Sequence, residues 1–170
     1  MNKALFLDRD GVLNNVVVRG ALVSSPRSLD EFEIIPESSK LVRAAREKKY
    51  IIVVVTNQPD SARGILPREE LGKMHEVLRS RLPIDDLEIC DSADDTDYRR
   101  KPNPGMIVDA TKKHDIDLNR SWLVGDSMKD IVAGRRAGVR AILLQTSYNE
   151  GIHGSGDYNC NSFNEIIDLL

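Results

Sequence analysis

The stretch Ile51-Ile52-Val53-Val54-Val55-Thr56-Asn57-Gln58 decides the fold. Its unbroken β-branched run offers no polar face, so a strand here is covered on both sides, as in parallel sheets. The run then stops at three hydrogen-bonding side chains. Shorter runs of the same character lie at Ala4 to Leu7, Trp122 to Val124 and Val139 to Leu144, with a weaker one at Leu87 to Cys90. Between them apolar residues recur at helical spacing. Pro36 and Glu37 open a helix to about Lys49, with Leu41, Val42 and Ala45 inward. Pro67, Glu69 and Glu70 open a second, carrying Leu71, Met74, His75, Leu78 and Leu82. A third starts near Pro104. A fourth starts near Ser127 and ends at Gly138 as a left-handed cap. Ser162 and Glu165 have capping-box spacing before a last helix.

Strands alternating with helices predict an α/β fold, a doubly wound parallel sheet with right-handed crossovers. The 170 residues suit one domain over 1–170 with a single sizeable core. The intervals from Leu13 to the first helix and from Gln58 to Pro67 are too short for an inserted cap domain. Val16 to Val23 reads as a small hairpin around Arg19-Gly20. Asp91 to Arg99 reads as a polar loop and Ser147 to Asp157 as a glycine-rich, mobile one.

A net charge of −3 provides no global positive field to recruit nucleic acid or anionic membrane. No apolar stretch is long enough to span a bilayer. Lys3 precedes only a short apolar run, so no targeting segment is expected. Cys90 and Cys160 make neither a disulfide framework nor a metal-finger spacing, and a cytoplasmic location is expected. No apolar surface stripe is left over, which predicts a monomer.

Ligands of such sheets bind beyond the carboxyl ends of the strands. Asp8 and Asp10 follow the first strand, Thr56-Asn57-Gln58 the second, Arg99-Arg100-Lys101 the loop after Cys90, and Gly125-Asp126 the strand ending at Val124. Four polar clusters therefore converge on one edge. Residues two apart in an extended chain share a side, so Asp8 and Asp10 project together unless the backbone bends. Like charges this close need a cation between them or a proton on one. Mg²⁺, which prefers oxygen ligands, answers that need. Alone, Asp-x-Asp-Gly fits an acidic turn as well as a site. Together the residue types form a phosphoryl-transfer set. A carboxylate can attack phosphorus, a cation can bridge acid and phosphate, and a hydroxyl and a lysine can hold the phosphoryl oxygens. A second acid can protonate the leaving alkoxide and then activate water.

The ordered pattern Asp8-Arg9-Asp10-Gly11, Thr56-Asn57-Gln58, Arg100-Lys101-Pro102 and Gly125-Asp126-x-x-x-Asp130 resembles the haloacid dehalogenase (HAD) superfamily of phosphatases. More narrowly it is similar to the branch of histidinol-phosphatases and D-glycero-D-manno-heptose 1,7-bisphosphate phosphatases. Ala62-Arg63-Gly64 and Pro104-Gly105-Met106 favour the heptose side. The resemblance implies a Mg²⁺-dependent phosphomonoesterase acting on a small phosphorylated metabolite. Asp8 would be nucleophile and metal ligand. Asp10 would be general acid/base and coordinate Mg²⁺ through its backbone carbonyl. Thr56 and Lys101 would hold the phosphoryl group, and Asp126 would complete the protein ligands. Asn57, Gln58, Arg100 and Arg19 would face the substrate, and Asp130 would orient a ligand or Lys101 from behind.

Three departures stand out. Many members carry a zinc loop, Cys-x-His then Cys-x-Cys, before Arg-Lys-Pro. Here Cys90 holds the first position, Ser92 replaces the histidine and the later pair is absent. One thiol cannot close a tetrahedral site, so no zinc is expected, and hydrogen bonds together with Arg99 or Arg100 facing the loop's aspartates should hold it. Asn15 to Arg19 lacks the Asp-His-Gly-Tyr that lines the heptose pocket of other members. Pro59-Asp60-Ser61 stands where Ser-Gly-Ile is usual. Two rivals remain at this point: a phosphatase for histidinol phosphate or another small phosphate ester, and a receiver module that accepts phosphate without turning over esters.

Overall fold

The computed structural model describes residues 1–170. Five parallel strands pair as expected: β1 (Lys3–Leu7), β4 (Tyr50–Asn57), β5 (Asp86–Cys90), β6 (Trp122–Gly125) and β7 (Arg140–Leu144). A short sixth, β8 (Tyr158–Cys160), adds to the β7 edge in the same direction. The sheet order β5-β4-β1-β6-β7-β8 places the first strand at the centre, where the winding reverses. The hairpin expected around Arg19-Gly20 forms as β2 (Val17–Arg19) and β3 (Leu22–Ser24), apart from the main sheet.

Alternation along each strand divides the core in two. Leu5, Leu7, Ile52 and Val54 face one side, under α1 (Pro36–Glu47), α3 (Arg68–Arg81) and α6 (Phe163–Leu169). Ala4, Phe6, Val53 and Val55 face the other, under α4 (Gly105–His114) and α5 (Met128–Ala137). Both faces of β4 are buried, which is why its sequence shows no alternation. Trp122 packs edge-on against Tyr158 with ring centroids 5.1 Å apart, and Arg140 lies over its indole at 3.7 Å. No cap domain is present: β1 and α1 are joined through the hairpin, and β4 and α3 by a single-turn α2 (Pro59–Ala62).

Sequence and structure differ in detail at the last helix. Ser162 Oγ accepts from the Glu165 amide, but Glu165 Oε2 reaches the amide of Asn161, one residue further back than a capping box requires.

Candidate active site

The strand ends deliver their polar residues to the switch point at β1, in an open cleft of about 720 Å³. Immediately after Leu7 the backbone bends, and Gly11 takes φ +84°. The bend separates the two N-terminal acids. Asp8 Oδ1 accepts from the Arg9 amide at 2.7 Å and from Lys101 Nζ at 2.8 Å, leaving Oδ2 without a protein donor. Asp10 is saturated instead. Its Oδ1 takes Arg9 Nε at 3.1 Å, Arg9 Nη2 at 2.8 Å and Asn14 Nδ2 at 2.9 Å, while Oδ2 takes Ser25 Oγ at 2.9 Å and Gln58 Nε2 at 2.8 Å.

Arg9 is wholly buried. A guanidinium can only donate, so His75 Nε2, 3.0 Å from Arg9 Nη1, is an acceptor and the ring is neutral. Burial first and then the Arg9 charge push the His75 pKa down to about 4, in keeping with that role. The histidine is thus a satisfied buried group on the apolar stripe of α3, and it supports Arg9 behind Asp10.

Lys101 is the electrostatic centre. Its three N–H groups meet Val55 O at 2.8 Å, Asp130 Oδ1 at 2.6 Å and Asp8 Oδ1 at 2.8 Å. Burial opposes its charge, but Asp130 and Asp8 outweigh that and raise its pKa. Asp130 also takes Ser127 N at 3.2 Å and Ser127 Oγ at 2.5 Å on Oδ2, at the start of α5. Asp130 therefore has both oxygens engaged and sits behind Lys101. Gly125 makes room for it: a Cβ there would meet Asp130 Cβ at 2.2 Å.

Asp126 lies across from Asp8, and ligand oxygens of Asp8, Asp126 and Asp130 fall within 4.8 Å of one another. Burial, then the charge of Asp130, pushes the Asp126 pKa up to about 7. Burial and Asp130 likewise raise that of Asp8 well above the carboxylate range. One lysine does not balance these three acids, and a hard divalent cation fits the donor set. Gly11 packs against this point. A Cβ on it would sit 1.9 Å from Asp126 Oδ2 and 2.5 Å from the Tyr148 hydroxyl. The variant Gly11→Ala should therefore displace Asp126 and lower affinity for a divalent cation at least tenfold, the scale expected when ligand orientation is disturbed. Isothermal titration checks this, and wild-type affinity would contradict the crowding argument.

The remaining expected residues take mixed places. Thr56 is buried at the strand end, where its Oγ1 accepts from Gln58 Nε2 at 2.8 Å. Gln58 thus orients both Thr56 and Asp10. Asn57 lines the cleft, but its amide clamps the Lys101 backbone, giving Nδ2 to Lys101 O at 2.9 Å and taking Lys101 N at 3.0 Å. Arg100 lines the cleft and also holds the Asp91 to Arg99 loop, with Nε on Asp95 Oδ1 at 2.9 Å and Nη1 on Ser92 O at 3.0 Å. Arg99 points elsewhere, to Glu88 at 2.5 Å and Asp109 at 2.6 Å. Arg19 corrects an expectation. It is not on the cleft, because Glu31 engages its guanidinium at 2.9 and 2.5 Å. Arg27 and Arg63 line the cleft instead, bridged by Asp60.

Sequence reasoning missed Ser25, Tyr148 and Asn149. The Tyr148 hydroxyl donates to Asp126 Oδ2 at 2.6 Å, and burial together with the Asp126 charge raises its pKa, keeping it a phenol. Asn149 Nδ2 donates to Asp126 O at 2.8 Å and Leu144 O at 2.9 Å. Both follow the carboxyl end of β7, so the rule that flagged the other four clusters could have flagged this one.

Comparison with known proteins decides the family. A HAD-hydrolase-like family model matches residues 98–164. The D-glycero-beta-D-manno-heptose-1,7-bisphosphate 7-phosphatase of Helicobacter pylori is 31% identical over 176 residues, covering 99% of this chain and 98% of the relative. The chain belongs to this phosphatase family. The D-glycero-alpha-D-manno-heptose-1,7-bisphosphate 7-phosphatase of Burkholderia mallei is 35% identical over 156 residues, covering 84% of the chain and 79% of the relative. The crystal structure of the D,D-heptose 1,7-bisphosphate phosphatase of B. bronchiseptica, complexed with magnesium and phosphate, superposes with a TM-score of 0.83 at 30% identity. It covers 98% of this chain and 97% of that one. The protein is accordingly a phosphatase of the HAD-like hydrolases.

Proposed function

We propose that the chain is a Mg²⁺-dependent phosphomonoesterase that removes the 7-phosphate of D-glycero-D-manno-heptose 1,7-bisphosphate through an aspartyl-phosphate on Asp8. The observation that carries the reading is the unengaged Oδ2 of Asp8 in the cleft, steadied through Oδ1 by Lys101 and the Arg9 amide. The free oxygen attacks phosphorus, and the ester P–O bond breaks. Asp10 gives its proton to the departing alkoxide. In the second step Asp10 takes a proton from water, which attacks the aspartyl-phosphate and releases inorganic phosphate with Asp8 restored. Thr56 donates its hydroxyl to a phosphoryl oxygen, and Lys101, whose three N–H groups stay on Val55 O, Asp130 and Asp8, sets its positive charge beside the group as negative charge builds there.

Asp10 meets two demands. Burial raises its pKa, but Arg9 and the hydrogen bonds of Asn14 and Gln58 more than offset this and leave it low. That favours the carboxylate needed by the water step. The acid step needs the proton, and a dianionic phosphate arriving nearby raises the affinity of Asp10 for it.

The residues that would hold Mg²⁺ are Asp8, Asp126 and the Asp10 carbonyl, which accepts no backbone hydrogen bond. Bound there, the ion would neutralise charge between the carboxylates and the phosphoryl group. The cleft admits a sugar phosphate, with Arg27, Arg63, Arg100 and Lys129 on its walls.

A phosphate-release screen with Mg²⁺ tests the reading, using both heptose bisphosphate anomers, histidinol phosphate and common hexose phosphates. A heptose bisphosphate should give the highest kcat/KM. Preference for histidinol phosphate would overturn the substrate, and absence of turnover would overturn the enzyme. The variant Asp10→Asn should lose more on sugar phosphates than on nitrophenyl phosphate, whose leaving group needs no proton. Loss on the order of 10²–10⁴ is the scale of general acid catalysis. Equal loss on both substrates would contradict the acid role.

A further inference from the structure

Three acids beside Asp8 differ in what engages them. Asp10 is saturated by five donor groups, two of them cationic N–H groups of Arg9. Asp130 has both oxygens engaged, one by Lys101. Asp126 alone has one oxygen engaged by a neutral donor, Tyr148, and Oδ1 left without a protein partner. A cationic donor there would compete with a metal for the carboxylate charge. A phenol fixes the rotamer and leaves the charge in place.

The segment after β7 is built to deliver that donor. Asn149 is buried and ties the loop at four points. Its Nδ2 reaches Asp126 O and Leu144 O, while its Oδ1 takes Thr146 N at 2.8 Å and lies 3.0 Å from His153 Nε2. Tyr148 beside it lines both the cleft and a second cavity, lined also by Asn15, Glu33, Gln145 and Phe163. Gly11 is the close neighbour that lets the hydroxyl reach Asp126.

We propose that Tyr148 is a positioning residue for magnesium: it holds Asp126 Oδ2 so that Oδ1 is presented to the ion, and Asn149 is the latch that keeps the β7 loop in register for this contact. The inference deepens the reading of the site as a Mg²⁺-dependent phosphatase and rests on it. It assigns a function to a segment that composition alone marks as a mobile surface loop. The contact acts through Asp126, so its loss should appear in metal affinity before it appears in chemistry.

The test uses the full chain freed of metal, with Mg²⁺ as the probe. Calorimetric titration of Tyr148→Phe should give a Kd for Mg²⁺ raised about 10–100-fold over wild type. The melting temperature of the metal-free variant should stay close to wild type, since the side chain is partly exposed. KM for the phosphate ester should change less than twofold, and kcat should recover when Mg²⁺ is raised to saturation. A merely structural role would lower the melting temperature and leave the Kd alone, and that result overturns the proposal. A second measurement does not depend on the variant's folding. Adding Mg²⁺ to wild type should perturb the near-ultraviolet tyrosine absorption, because the charge beside the Tyr148 phenol changes. A flat difference spectrum in a protein that binds Mg²⁺ also overturns it. Wild type that neither binds Mg²⁺ nor releases phosphate removes the broader reading and this inference together. Wild type that does both, beside a Tyr148→Phe of equal affinity, removes this inference alone.

Discussion

Asp8→Asn should abolish turnover and leave the fold at least as stable as wild type. The activity loss should be on the order of 10⁶-fold, the scale for removing a covalent nucleophile. An amide nitrogen and a neutral carbonyl oxygen cannot form the acyl-phosphate. The stability half follows from electrostatics. Burial and the charges of Asp130, Asp126 and Asp10 raise the Asp8 pKa, with only Lys101 opposing. An acid whose folded pKa lies above its unfolded one destabilises the native state once ionised, so metal-free stability rises as pH falls through the folded value toward the unfolded one. A neutral asparagine removes that cost at pH 7. Steady-state kinetics and urea melts in chelator check both halves. Substantial residual activity contradicts the nucleophile, and a loss of several kcal/mol contradicts the crowding of like charges.

Lys101→Ala should fail on both counts at once. Removing Nζ deprives Val55 O, Asp130 and Asp8 of their shared donor inside the core. Leaving buried charge uncompensated costs about 3–5 kcal/mol. Removing one preorganised positive charge from beside a developing phosphoryl charge costs about 10²–10³ in kcat. The pH dependence has a definite sign. Without the lysine Asp8 binds its proton still more tightly in the native state than in the unfolded one, so the stability deficit shrinks as pH is lowered from 8 toward 5. Denaturant melts across that range measure it. A deficit independent of pH, or wild-type kcat, contradicts the assignment of Lys101 as the central counter-charge.

The strands and most of the site were readable along the chain, and the reason is local. Strands buried on two faces have one code, and β1, β4 and β6 follow it. Each then ends in a polar cluster, so Asp8, Thr56 and Asp126 announce themselves by position. Lys101 follows a loop, and only its place after Arg100 marked it. The errors have a common cause. The resemblance implies that Arg19 faces the substrate, but the partner that draws it away, Glu31, lies in a separate 3-10 turn. Tyr148 lay in a glycine-rich stretch whose composition suggests motion, while its anchoring comes from Asp126, far back in the chain.

The order of apolar runs and polar tips along the chain thus determines that this is a doubly wound sheet and that acids, a threonine and a lysine meet at its switch point. Tertiary structure decided what each acid is free to do. Arg9, Asn14, Ser25 and Gln58 saturate Asp10; Lys101 and Ser127 occupy Asp130; Asp8 and Asp126 each keep one open oxygen. Identical carboxylates acquire different roles because their donors arrive from distant segments. A hydrogen bond depends on distances of a few tenths of an ångström that sequence spacing does not carry.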